Sequence, residues 1–148
     1  MSALKFPRTV AGAFALAAVI AVSSAYAEAI KMEAKLDAAQ QVPPNDSKGT
    51  GTAQLMFDTE TQKLEWTVEY TALTGAATAA HIHGPADPGQ NADVVVPFPG
   101  DLPSPIKGSA TLTDAQATDL QAGKYYVNIH TAANKGGEIR GQILKSAM

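Results

Sequence analysis

The 148-residue chain carries 11 basic and 14 acidic residues, three histidines and no cysteine, for a formal charge of −3. Without cysteine there is neither a disulfide framework nor a thiolate metal site, so any bound metal falls to nitrogen, oxygen or thioether ligands. The basic residues are scattered, which argues against the basic footprint that nucleic-acid binding requires.

The chain opens with Lys5 and Arg8, then an uncharged apolar run from Thr9 that ends in Ala25-Tyr26-Ala27. A charged start, an apolar stretch and a small-x-small site make a secretory signal peptide, so residues 1–27 are expected to be removed. The run is barely of spanning length and rich in alanine, which favours cleavage over retention as an anchor. Residues 28–148 then form one domain, large enough to bury a core. Taking Lys5 and Arg8 from the 11 basic residues leaves 9 against 14 acidic ones, a formal −5. No second run is long enough to span a bilayer, so a periplasmic or secreted protein, free of the membrane after cleavage, is expected.

The remainder reads as strands. Ile30, Met32, Ala34, Leu36 and Ala38 alternate with Lys31, Glu33, Lys35 and Asp37, the pattern of a half-buried antiparallel strand. After a proline-containing loop, Ala53, Leu55 and Phe57 share a phase, and Leu64, Trp66, Val68 and Tyr70 follow across a turn as the second arm of a hairpin. Met32 and Met56 are both read as core packing. Three shorter strand segments follow, ATAAHIH, DVVVPF and IKGSATL, separated by Pro-Gly stretches. A single helix is expected after Thr113, with Thr113 and Gln116 as a capping box and Gly123 at the C-terminal end. KYYVNIHT and EIRGQIL close the chain as a hairpin across AANKGG. About eight short strands and one short helix predict an all-β antiparallel Greek-key sandwich or barrel.

Strand alternation orients the histidines. Ile82, Val127, Ile129, Ile139 and Ile143 are the inward residues of their segments, which turns His81, His83, Asn128, His130, Glu138, Arg140 and Gln142 outward. Residues two apart on one strand face are roughly 6.5–7 Å apart, close enough for two imidazoles to converge on one ion. His130, from a neighbouring strand, supplies a third nitrogen, and the loop GPADPGQNAD is placed to fold over the set. The competing reading is that these are ordinary polar positions on a solvated wall.

The segments AAHIHGPADPGQNADVVVPF and GSATLTDAQATDLQAGKYYVNIHTAANKGGEIRGQI resemble the CHRD domain, from about Ile30 to Ile143. The resemblance implies a single exported domain of the kind found alone behind signal peptides in bacteria. A weaker resemblance, to the copper side of copper–zinc superoxide dismutase, implies a Greek-key barrel with a His-x-His pair and a late-strand histidine on copper. His81 and His83 match the pair, His130 the late ligand, and Arg140 the arginine that guides the anion. There is no fourth, bridging histidine, no zinc ligand set and no cysteine pair, so a mononuclear site is implied.

Three imidazoles favour copper, with zinc as the alternative. Asp87 and Asp93, in the loop, are candidates for extra oxygen ligands or for partners of the ligands, against the plainer reading that loop carboxylates are solvated. The expectation is therefore a copper-binding protein that buffers, carries or uses the metal, with binding preferred over weak superoxide dismutase-like activity. The alternative is a metal-free β-sandwich module that binds a protein partner; a homodimer is compatible with either. No P-loop, dinucleotide fingerprint or nucleophile elbow is present.

Overall fold

The computed structural model describes residues 29–147; the expected leader over residues 1–27 lies outside them. Three long strands lead, β1 (Ala29–Asp37), β2 (Thr50–Asp58) and β3 (Lys63–Thr71). They pair as an antiparallel meander, with Met32 opposite Leu55 and Leu55 opposite Trp66. The turn between β2 and β3 is closed by Asp58, whose Oδ1 accepts from the backbone N–H groups of Glu60 and Thr61, both at 2.9 Å.

The following elements are β4 (Ala77–His83), β5 (Val94–Pro97), β6 (Ile106–Thr111), α1 (Asp114–Gln121), β7 (Tyr126–Thr131), β8 (Ile139–Gln142) and the two-residue β9 (Leu144–Lys145). Helix α1 starts at the expected capping box, with Thr113 Oγ1 accepting from Gln116 N and Gln116 Oε1 accepting from Thr113 N. It ends before Gly123, whose φ of +73° suits glycine. Among the described residues no helix is long and apolar enough to cross a membrane.

The strands form one sheet in the order β5-β4-β7-β8-β1-β2-β3-β6, with β9 added to β1. The sheet curls into a nearly closed antiparallel barrel. Strand β7 returns, after β6 and α1, to lie beside β4, which is the Greek-key connection. Aromatic stacking spans the gap between the ends of the path: Trp66 of β3, one strand in from β6, lies on Phe98, next to β5, with centroids 4.5 Å apart.

The interior follows the alternation. Met32, Leu36, Leu55, Phe57, Leu64, Trp66, Val68, Ile82, Val127, Ile129, Ile139 and Ile143 are all buried. Met56 is a correction. It sits between Lys31 and Glu65 across the sheet, out of phase with Leu55 and Phe57, and only partly buried. Period two places it on the outer face whatever its hydrophobicity.

A second difference concerns the outward face of β4, β7 and β8. It points away from the core, as expected, but it is not a solvated wall. Glu138, Arg140 and Asn128 are 0%, 2% and 4% exposed. The loop after β1, the loop after β4 and the β7–β8 turn fold over them: Gln41 Nε2 donates to Asn128 Oδ1, Arg140 Nη2 to Gln90 O, and Asn128 Nδ2 to Gly136 O. Alternation specifies the side of the sheet, whereas loop packing determines whether water reaches it.

Candidate metal centre

Strand β7 lies between β4 and β8, with Ile82 opposite Val127 and Val127 opposite Gly141 on the inner side. On the outer side the rows are His83–Tyr126–Gln142 and His81–Asn128–Arg140, and His130 lies one step along from Asn128 on the same face. This register gathers all three histidines of the chain. Their ring centroids are 5.0, 5.4 and 5.9 Å apart. One ligand nitrogen from each lies within 4.8 Å of the others, and the cluster contains no carboxylate. Asp87 instead pairs with Lys124 at 2.5 Å, and Asp93 is exposed.

The hydrogen bonds assign the rings. His83 Nδ1 lies 2.9 Å from Ala92 O, and His130 Nδ1 lies 2.9 Å from Lys135 O. Carbonyl oxygens only accept, so both Nδ1 atoms carry the proton, and in the neutral rings both Nε2 atoms hold a lone pair. The Nε2 of His130 is 3.3 Å from His81 Nδ1. The Nε2 of His83 is buried without a protein partner. A buried acceptor left unpaired is costly, and a metal satisfies it.

The fit to a metal can be tested by distance. Two nitrogens about 2.05 Å from one ion at a tetrahedral angle are about 3.3 Å apart, which matches the His81–His130 pair. Both outer Nδ1–H groups donate to backbone carbonyls, the usual second partner of a metal-ligating histidine. His83 is 9% exposed, while His81 and His130 keep more contact with solvent. Access to the cluster is therefore from the His81–His130 side.

Protonation favours free lone pairs. Burial, reinforced by the charges of His130 and His83, holds His81 below its ordinary value of 6.5. Burial also lowers His83, against the hydrogen bond to Ala92, and the charges of His130 and Arg140 add to the lowering. Both rings are thus neutral at pH 7.

Three neighbours complete the surroundings. The Tyr126 ring stacks on His83 at 5.1 Å and 5°, and its hydroxyl accepts from Ala92 N at 3.1 Å. The Arg140 guanidinium carbon lies 3.4 Å from the centre of the same ring. Its Nη1 donates to Asn91 Oδ1 at 3.1 Å and its Nη2 to Gln90 O at 2.7 Å. The expected anion guide is therefore buried beneath the loop and committed to it.

Glu138 is the third neighbour. Its Oε1 accepts from Ser47 Oγ at 2.6 Å and Thr74 N at 2.7 Å. Its Oε2 accepts from Thr131 Oγ1 at 2.6 Å, Thr74 Oγ1 at 2.7 Å and Asn134 Nδ2 at 3.2 Å. Burial alone would raise its pKa; the hydrogen bonds from Ser47, Thr131 and Thr74 outweigh it and bring the carboxyl to about 2.

Sequence reasoning brought together the three histidines and Arg140. It did not single out Tyr126, although Tyr126 shares the outward phase of Asn128 and His130 and could have been found that way. The carbonyls of Ala92 and Lys135 carry no sequence signal, because every residue has one.

No curated protein and no solved structure matches the chain. The family described as CHRD domain matches residues 32–143, a span that takes in the barrel from β1 to the residue after β8 and includes His81, His83 and His130. By that match the chain belongs to the CHRD domain family.

Proposed function

We propose that this is an exported, single-domain copper-binding protein in which His81, His83 and His130 hold one metal ion. The observation that carries the reading is the state of the three rings: two protonated at Nδ1 by backbone carbonyls, and a His83 Nε2 buried with no partner. An all-imidazole donor set suits copper and zinc rather than calcium or magnesium, and copper ranks above zinc at such a site. Copper bound there would supply a one-electron redox centre open on the side of His81 and His130.

The protein's own part is to aim the three rings together, with the His83 Nε2 left without a partner and the His130 Nε2 facing His81 Nδ1. Burial of His81 and His83 holds them neutral, and the loop over His83 excludes water from that side. Buffering or carriage is favoured over turnover of an anion, because the Arg140 guanidinium is engaged with Gln90, Asn91 and Tyr126. The acidic balance of the chain adds to this, since it repels anions.

The test is titration of the processed protein with Cu(II) against a competing chelator, followed by electron paramagnetic resonance. One Cu(II) per chain with nitrogen hyperfine structure is expected, lost in the triple alanine variant of His81, His83 and His130. Equal binding by that variant refutes the site and leaves the metal-free interaction module. Elemental analysis of protein from its native compartment distinguishes copper from zinc. Export is tested by N-terminal sequencing, which should begin at Glu28.

A further inference from the structure

Glu138, directly before strand β8, and Arg140, within it, are two buried charges of opposite sign, two residues apart in the outward phase, and among the described residues neither meets an opposite charge. Both are committed to neutral groups on covering segments. Burying a charge is costly unless its hydrogen bonds are complete. What these two charges hold is therefore informative, and each holds a segment that carries one of the two carbonyls behind the histidine cluster.

Arg140 binds Gln90 O and Asn91 Oδ1, and Ala92 follows directly. Tyr126, under the same guanidinium, grips Ala92 through its hydroxyl. The carbonyl of Ala92 then meets His83 Nδ1. On the other side, Glu138 binds Thr131 Oγ1 and Asn134 Nδ2. Thr131 and Asn134 also bond each other, closing the turn, and Lys135 follows Asn134. The carbonyl of Lys135 then meets His130 Nδ1.

We propose that Glu138 and Arg140 are positioning residues for the histidine cluster, each fixing through its covering segment the carbonyl that keeps one ring protonated at Nδ1 and bare at Nε2. Arg140 acts on His83, and Glu138 acts on His130. The inference rests on the metal-binding reading for its purpose, but the ring states can be measured without a metal.

The experiment is long-range ¹H–¹⁵N NMR of the histidine rings in metal-free protein at pH 7.5. Wild type is compared with Arg140→Lys, which keeps the charge but loses the planar fork and the stacking, and with Glu138→Gln. Asn91→Ala and Asn134→Ala are gentler versions that remove one partner of each charge and leave Arg140 and Glu138 themselves unchanged. Wild type should show His83 and His130 as single Nδ1–H tautomers. Arg140→Lys and Asn91→Ala should convert His83 to a mixture and leave His130 alone; Glu138→Gln and Asn134→Ala should do the reverse. Cu(II) affinity should fall roughly 10–100-fold in each variant.

Retention of the Nδ1–H tautomer of His83 in Asn91→Ala and Arg140→Lys, or of His130 in the other pair, overturns the proposal. So does a change of both rings together in every variant, which is what general loosening would produce. Failure of wild type to bind Cu(II) refutes the metal reading instead, and the ring tautomers still decide this one.

Discussion

Replacing Glu138 by glutamine should cost the protein about 3 kcal/mol at pH 7, and the cost should fade as the solution is acidified. The carboxyl is fully buried, and its pKa falls from the ordinary 4.5 to about 2. Burial opposes the shift, and the donors of Ser47, Thr131 and Thr74 produce it. A depression of this size, at about 1.36 kcal/mol per unit, stabilises the folded protein by about 3 kcal/mol. Because the folded value is the lower one, the unfolded chain takes up the proton first. The contribution is complete above the unfolded pKa of 4.5 and is lost as pH falls toward about 2. About 1.4 kcal/mol should remain at pH 3. Glutamine replaces the carboxylate imperfectly. With its NH₂ in the place of Oε1 it meets the Thr74 N–H, donor against donor, and with its NH₂ in the place of Oε2 the Asn134 amide and the threonine hydroxyls must turn to accept. Urea unfolding of both proteins at pH 7, 5, 4 and 3 is the assay. A difference below about 1 kcal/mol at pH 7, or one that does not change with pH, would refute the reasoning, because both results mean the charge is not held by its five donors.

Three further outcomes are expected. His83→Ala should raise the Cu(II) dissociation constant at least about 100-fold; because His83 is 9% exposed and stacked on Tyr126, it should also cost about 1–2 kcal/mol in urea unfolding, unlike a solvated position. Protonation of His81 and His83 should weaken Cu(II) binding only below about pH 6.5, the ordinary histidine value, since burial holds both rings below it; competition titrations of the wild type and of His81→Ala and His83→Ala on either side of that pH check the direction. Gly137→Ala should destabilise by about 1–3 kcal/mol, because φ there is +124° and the added methyl would press on the Asn128 and Gln41 amides; thermal unfolding reads it.

Much of the barrel was legible because period-two alternation needs no knowledge of partners. Leu64, Trp66 and Val68 announce their own face, and Thr113 with Gln116 announces the start of α1, since these signals are local. The same rule turned His81, His83 and His130 to one side, and it also assigns Met56 outward once its phase is followed rather than its hydrophobicity. What the residues alone could not determine was long-range. That β7 pairs with β4 in a register that brings His130 Nε2 to 3.3 Å from His81 Nδ1 depends on a crossover through β5, β6 and α1. Local periodicity is blind to such a pairing. The burial of Glu138 and Arg140 is also a tertiary result. Their positions at the start of β8 read as polar and outward, and only the folding of the β1–β2, β3–β4, β4–β5 and β7–β8 connections across that face supplied enough neutral donors and acceptors to hold two charges away from water.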